Sequence, residues 1–517
     1  MRNRLLPLTL RLAACVVASI AAARPLPAIP PAFGPYTNLT ARDFTGVPSF
    51  STNDRIVGTY YFYWYDAPTQ FHVRNDDGTD ALTEHPPTLE GFSFRNIAWH
   101  RKELSDMADA GIDVALPVFW GAPSDHATNA LLHWSYAGLP PLVEAREQLL
   151  RAGRRPPRLG LFYDTSTLEN NEWHQRIDLT TDFGRRWFYA TIRDFFSCIP
   201  PRHWALMDGR PIVLLYAAAF AKAHDQSCVD FARAEFRREF GRDLWLAAQD
   251  SWQVKADAVC AWGGALGLRN PGIGELGPGY DHSAVPGRTP LVVPREDGRF
   301  YERQWVRFLR APANFVMLET WNEFHEGTTL CESREYGRKY IELTRRYADM
   351  FRRGEVPAQP RGAYTGAAEV SFTCGRTNAE AGLTPQSNED GQTLAGEIGG
   401  RPALGLQPGR SRYFYFAVHD SFKPAAAQNL TLVVEFFDDT PGSLGVEFDG
   451  SDARAPFRGA YSVSPDLAPL TGSRQWRTAT FALPAARLNN SQNGGADFRI
   501  VAHTSGVRLS RVTLKRQ

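Results

Sequence analysis

Ile56-Val57-Gly58-Thr59-Tyr60-Tyr61-Phe62-Tyr63-Trp64-Tyr65 is an almost unbroken apolar and aromatic run. A strand with one wet face alternates polar and apolar residues. A run without alternation reads as a strand buried on both faces, as in a parallel sheet covered by helices. Outward from it, short β-rich stretches alternate with amphipathic ones as far as about Gly354. Strands are predicted at Ile56 to Tyr65, Val114 to Trp120, Leu159 to Tyr163, Pro211 to Tyr216, Leu244 to Gln249, Ala258 to Trp262, Pro290 to Val293 and Phe315 to Thr320. Helices are predicted around Ile97 to Ala110, Leu142 to Leu150, Phe183 to Phe196, Val229 to Phe240, Phe300 to Leu309 and Arg334 to Phe351. Gly111 and Gly354 supply stops, and Ser333 an N-cap. Eight strands with crossover helices predict an α/β domain, a (β/α)8 TIM-type barrel over 55–354. The connection between strands five and six is too short for a helix, which keeps a doubly wound open sheet as the rival.

Beyond Pro357, Pro360 and Gly362 the pattern changes. Residues 355–366 read as a linker, and 367–517 as an all-β jelly-roll sandwich, accessory and carbohydrate-binding-like. Its strands are short, and turn clusters such as Asp438-Asp439-Thr440-Pro441-Gly442 separate them. Tyr413, Tyr415, Phe437 and Trp476 are read as core, with a binding surface as the alternative. At the other end, Arg2 and Arg4, the apolar run Leu12 to Ala22 and Ala21-Ala22-Ala23 read as a signal peptide over 1–23. The lipobox-like Leu12-Ala13-Ala14-Cys15 is followed by more apolar sequence, so a secreted or periplasmic location is expected over lipoprotein anchoring. Residues 24–54 form a Pro-rich extension.

Five hundred and seventeen residues exceed one ordinary core, and a formal charge of +1 gives no footprint for nucleic acid or an anionic membrane. No later run is long and apolar enough for an integral membrane segment. After Cys15 the chain keeps Cys198, Cys228, Cys260, Cys331 and Cys374, an odd count, with Cys198 and Cys228 the expected pair. No Cys or His spacing suits a metal: His325-Glu326 starts like a zinc-protease helix, but Thr329 stands where the second His belongs. Neither a metal nor another cofactor is expected, and oligomeric state is not legible.

In such barrels the reacting groups stand at the C-terminal ends of strands. Those ends carry Tyr63 and Trp64, Trp120, Asp164, Tyr216 and Trp262. The last strand runs into Glu319-Thr320-Trp321-Asn322-Glu323-Phe324-His325-Glu326-Gly327-Thr328, the densest ionisable cluster of the barrel half. Splitting a glycosidic bond needs one group to protonate the leaving oxygen and another to assist at the sugar. Glu323 and Glu326 are the candidates; the bland alternative is a loop carboxylate paired with one of the many Arg. Trp64, Trp120 and Trp262 are candidate stacking platforms or core, Asn322 a candidate sugar contact, His325 a group that orients a neighbour or else touches sugar, Glu319 a buried structural group or a sugar contact, and His85 and Asp164 weaker candidates.

Trp321-Asn322-Glu323-Phe324-His325-Glu326-Gly327-Thr328 resembles the W-N-E-W-H-E-G-T signature of glycoside hydrolase family 99, the endo-α-mannosidases and endo-α-mannanases. Tyr60-Tyr61-Phe62-Tyr63-Trp64-Tyr65 and Ala110-Gly111-Ile112-Asp113, leading to Phe119-Trp120-Gly121, are similar to its first two strands. WbsX-type sugar-transfer proteins carry a similar motif, so the octapeptide marks a superfamily more than a substrate. The resemblance implies a retaining hydrolase of an α-linked oligosaccharide or polysaccharide without a carboxylate nucleophile. Glu323 is implied as base on the sugar's own 2-hydroxyl, giving a 1,2-anhydro sugar, and Glu326 as the acid that then activates water. Phe324 replaces the usual Trp, and Thr329-Leu330-Cys331-Glu332 the usual Q-I-E-P, which bears on substrate. A non-catalytic glycan-binding protein, or a sugar-transfer protein of the WbsX type, is the alternative.

Overall fold

The computed structural model describes residues 30–121, 132–171, 175–288, 291–358, 360–388, 390–409, 411–424, 426–504 and 506–517. The expected signal peptide lies outside the described residues. The barrel strands are β1 (Ile56–Tyr61), β2 (Val114–Phe119), β3 (Arg158–Leu159 and Leu161–Tyr163), β4 (Arg210–Leu215), β5 (Trp245–Gln249), β6 (Ala258–Cys260), β7 (Gly274–Leu276) and β8 (Phe315–Leu318). They pair in parallel in the order β6-β5-β4-β3-β2-β1-β8-β7. The ring closes where Ile273 N–H donates to the Val259 carbonyl at 2.9 Å. That closure selects the barrel over the open sheet.

All six residues of β1 are buried, as the unalternating run requires. Gly58 has no room for a side chain: a Cβ there would stand 2.5 Å from Met317 Sδ and 2.9 Å from the Phe315 ring on β8. The outer layer is α1 (Ile97–Ala110), α2 (Leu139–Arg151), α3 (Asp182–Ser197), α4 (Gln226–Phe240), α5 (Arg299–Arg310) and α6 (Lys339–Arg353). Their ends follow local chemistry. Asn96, Thr181 and Asp225 each accept a backbone N–H in the first turn of α1, α3 and α4. Gly111 and Gly354 end α1 and α6 in the left-handed region.

The seventh strand is a correction. Val292–Val293, inside the predicted Pro290 to Val293, instead forms a small hairpin with Tyr280–Asp281, and Val292 is 51% exposed. Gly274–Leu276 takes the barrel position because it alone in that region lies beside β8. No α-helix follows β5 or β6; short 3₁₀ turns at Asp250–Trp252 and Gly264–Leu266 serve instead.

The sandwich covers that helix-poor flank. Its two sheets are antiparallel, with long strands such as Gln428–Phe437, Trp476–Ala486 and Arg508–Arg516 in one and Tyr413–Val418, Pro441–Phe448 and Phe498–Ala502 in the other. Phe372, Phe416, Phe436, Phe481 and Phe498 fill the space between them. Tyr415 and Phe437 are buried, whereas Tyr413 and Trp476 are partly exposed and covered by the guanidinium groups of Arg499 and Arg401.

Toward the barrel, Arg458 donates to the Pro271 carbonyl at 3.0 Å, and a Cβ on Gly495 would stand 2.9 Å from Leu266 Cβ. On α5, Gln304 and Arg307 reach Asp420 at 2.6 and 3.3 Å, all three buried. Asp420 also faces Lys423, which lies 3.0 Å from Asp497, so the buried charges are matched.

Cys198 and Cys228, expected as a pair, are free thiols, as are Cys260, Cys331 and Cys374. Burial pushes Cys198 up to about 12 and both Cys228 and Cys374 up to about 11.

Candidate active site

The loop after β8 is held in shape before any ligand is considered. The Asn322 side chain pairs with the Phe62 backbone, accepting its N–H at 2.8 Å and donating to its carbonyl at 2.7 Å. This continues the β1–β8 ladder past the strand ends. Tyr65 Oη donates to the Asn322 carbonyl and accepts the Phe324 N–H. Trp321 is buried and donates from Nε1 to Glu103 Oε2 at 2.6 Å; burial raises Glu103 to about 7. Thr320 Oγ1 accepts the Glu323 N–H at 2.8 Å and meets Thr328 Oγ1 at 2.9 Å, which closes the loop on itself.

Thus fixed, Glu323 and Glu326 border one cavity of about 1480 Å³. Their surroundings differ. Glu323 is buried; its Oε1 meets His325 Nδ1 at 2.8 Å, while Oε2 finds no hydrogen-bond partner among the described residues. Burial lifts its carboxyl above the usual range, with the Glu326 charge adding to the lift and His325 opposing it. Glu326 is more open and accepts from Arg288 Nη1 at 2.6 Å. Burial works against a charged His325, yet the Glu323 carboxylate overrides it and the imidazole stands above its ordinary value.

Two aromatic walls flank the carboxylates. On one side Trp64 stacks on His72 at 4.6 Å and meets Trp120 edge-on at 5.8 Å. Asp164 Oδ2 accepts from Trp120 Nε1 at 2.6 Å and the Ser166 N–H binds its Oδ1, so Asp164 orients the indole. Burial raises that carboxyl. On the other side Trp262 lies flat on Phe162 at 5.4 Å and edge-on to Tyr216 at 5.2 Å. Flat rings facing a cavity are surfaces on which a sugar's C–H face packs.

Of the sequence candidates, Glu323, Glu326, Trp64, Trp120, Asp164, Tyr216, Trp262 and His325 border the cavity together. Tyr63, Glu319, Asn322 and His85 are not among its lining residues. Tyr63 is buried, with its Oη donating to the Ser135 carbonyl at 2.7 Å. Glu319 Oε2 accepts from the Gly263 N–H at 2.9 Å, below the loop it introduces. His85 lies between Glu335 and Asp80. The sequence reading did not find His72, Arg288 or Phe62, all of which line the space. His72 and Arg288 come from loops without periodicity, so no pattern marks them. Phe62 was read only as strand.

The family model described as "Domain of unknown function (DUF5010)" matches residues 41–363. Among solved structures the chain is similar to the GH99 endo-alpha-mannosidase from Bacteroides thetaiotaomicron, at 14% identity and a TM-score of 0.43, covering 59% of this chain and 99% of that one. It is similar to a glycoside hydrolase-like protein, at 18% identity and a TM-score of 0.42, over 61% of this chain and 99% of the other. A carbohydrate binding module from Cellvibrio mixtus lichenase 5A matches at 20% identity and a TM-score of 0.17, over 28% of this chain and 96% of the module. No curated protein matches the chain. No helix among the described residues is long and apolar enough to cross a membrane.

Proposed function

The chain belongs to the DUF5010 family, and for this member we propose a glycoside hydrolase that cleaves an α-linked glycan with retention of configuration. The observation that carries the reading is one cavity bordered by two carboxylates of unlike environment, Glu323 sequestered and Glu326 more open, and lined by Trp64, Trp120, Tyr216 and Trp262. Glu323 takes the proton of the sugar's 2-hydroxyl, and that oxygen forms a bond to C1 of the same ring. The C1–leaving-oxygen bond breaks, its electron pair stays with the oxygen, and Glu326 supplies the proton. Glu326 then removes a proton from water, whose oxygen attacks C1. The C1–O2 bond opens and O2 recovers its proton from Glu323. A general base works best with a pKa near the working pH, and burial moves Glu323 in that direction.

Trp64, Trp120, Tyr216 and Trp262 serve as the surfaces that hold the chain of sugars. The export signal expected at 1–23 suits a substrate found outside the cytoplasm. One contact favours the alternative, a glycan-binding protein without turnover: the Arg288–Glu326 bond has to open before Glu326 can hand on a proton. Glu323→Gln and Glu326→Gln, assayed beside wild type on α-mannan and α-glucan oligosaccharides, separate the two. The hydrolase reading expects each variant to lose about 10²–10⁴-fold in kcat while still binding saccharide. Wild type that binds without cleaving any member of the panel would leave the binding protein standing.

A further inference from the structure

A second cavity, about 740 Å³, opens on the same strand-end face. The loop after β4 gives it Ala218, Ala219, Ala221 and Lys222, the loop after β5 Ser251 and Gln253, and the sandwich Pro456 and Phe457. The β4 loop is shared between the two cavities. Phe220, in the middle of it, borders the main cavity and stacks on Tyr216 at 5.9 Å with the rings 26° apart. Phe220 thus borders the main cavity while Ala219 and Ala221 on either side of it border the second one, whose lining includes Phe457.

Phe457 is 56% exposed, and its presentation is enforced. Phe457 and Arg458 are consecutive non-glycine residues in the left-handed region, at φ 50 and φ 55. Such backbone persists only where surrounding contacts over-determine it. Here Arg458 supplies them, donating to the Pro271 carbonyl at 3.0 Å with its Nε 3.4 Å from Asp250 Oδ1. The sandwich loop is thus tied to the barrel rim, with a phenyl ring held up to water among Lys222, Ser251 and Gln253. The ring meets Tyr461 edge-on at 5.6 Å, and the cavity beside it joins an apolar floor of alanines and Pro456 to the polar groups of Lys222, His224, Ser251 and Gln253; that mixture suits a polyhydroxylated ligand, which offers both a C–H face and hydroxyls.

We propose that Phe457 is the stacking platform of a distal subsite, which holds the continuation of the α-glycan whose reacting bond lies at Glu323 and Glu326. The inference rests on the hydrolase reading and gives the sandwich a direct part in substrate selection. Longer substrates reach the subsite; short ones do not.

Phe457→Ala and Arg458→Ala in the full chain, tested on α-mannan and α-glucan disaccharides and hexasaccharides, examine it. The expected result is a fall of about tenfold in kcat/KM on the hexasaccharide, in the size range of one aromatic contact, with the disaccharide unchanged. Equal behaviour of variants and wild type on both lengths, or an equal loss on both with an unchanged melting temperature, overturns the subsite and leaves the hydrolase intact. Calorimetric titration of the hexasaccharide into Glu326→Gln, with and without Phe457→Ala, reads the subsite without turnover. Weaker binding in the double variant supports it even if wild type cleaves nothing, and no binding to either protein overturns it together with the hydrolase.

Discussion

Between Glu323 and His325 there is one proton to place. His325 Nε2 lies 2.8 Å from the His72 carbonyl, which can only accept, so Nε2 carries a hydrogen. The bond from Nδ1 to Glu323 then holds a single proton, resident on nitrogen or on oxygen. In this arrangement His325 is a positioning residue that sets when Glu323 is ionised. In the proposed mechanism Glu323 acts as carboxylate, so activity should fall as pH drops through its raised pKa. His325 opposes that rise, so His325→Asn should move the acid limb of kcat/KM to higher pH. A limb that stays in place in the variant would remove His325 from this role.

What the sequence revealed at this scale follows from strand periodicity. Trp120, Asp164, Tyr216 and Trp262 could be located because they stand at or just past predicted strand ends. Asn322 was legible as a residue of the right loop but not as an inward-facing one, whereas the place of Glu319 inside the predicted strand already allowed a buried structural group. Whether a polar side chain meets a ligand or its own backbone depends on the neighbouring strand.

The misplaced seventh strand shows what an element needs in order to be visible in sequence. Gly274-Glu275-Leu276 has no apolar run, since its central side chain is a carboxyl inside the barrel. Glu275 is completely buried, accepts the Ala261 N–H at 2.9 Å and accepts from Tyr60 Oη at 3.4 Å. Burial first, and then the Glu319 charge, holds it well above the usual carboxylate range. A carboxyl so placed holds its proton beyond the usual carboxylate range. A carboxyl whose folded pKa is raised contributes stability that is full below its unfolded pKa and is lost as pH rises through the folded one. Glu275→Gln should therefore flatten the decline in melting temperature from acid toward alkaline pH, while wild type keeps it. Parallel curves for the two proteins would show that Glu275 holds no such proton. The β1 run, by contrast, was legible because every one of its side chains is buried.

At the scale of the whole molecule, the two domains complete each other. The missing helix after β5 was already visible in sequence as a short connection; the one after β6 was not, because the next strand was placed at Pro290 to Val293. What fills their place was not visible either, because Arg458, Asn490 and Gly495 reach the barrel from positions some two hundred residues away. The buried group of Gln304, Arg307, Asp420 and Lys423 makes that union costly to break. Asp420→Ala leaves Arg307 and Lys423 short of a counter-charge and should cost about 3–5 kcal/mol. Urea unfolding followed by barrel tryptophan fluorescence should show the loss; a change below about 1 kcal/mol would make the contact peripheral. The five free thiols among the described residues carry a further consequence. A sulfur reacts with oxidants and alkylating reagents as its anion, and burial keeps all five of these protonated at neutral pH. Maleimide should therefore reach Cys228, Cys260 and Cys331 only as the packing around each one opens, whereas Cys198 and Cys374 are only partly covered.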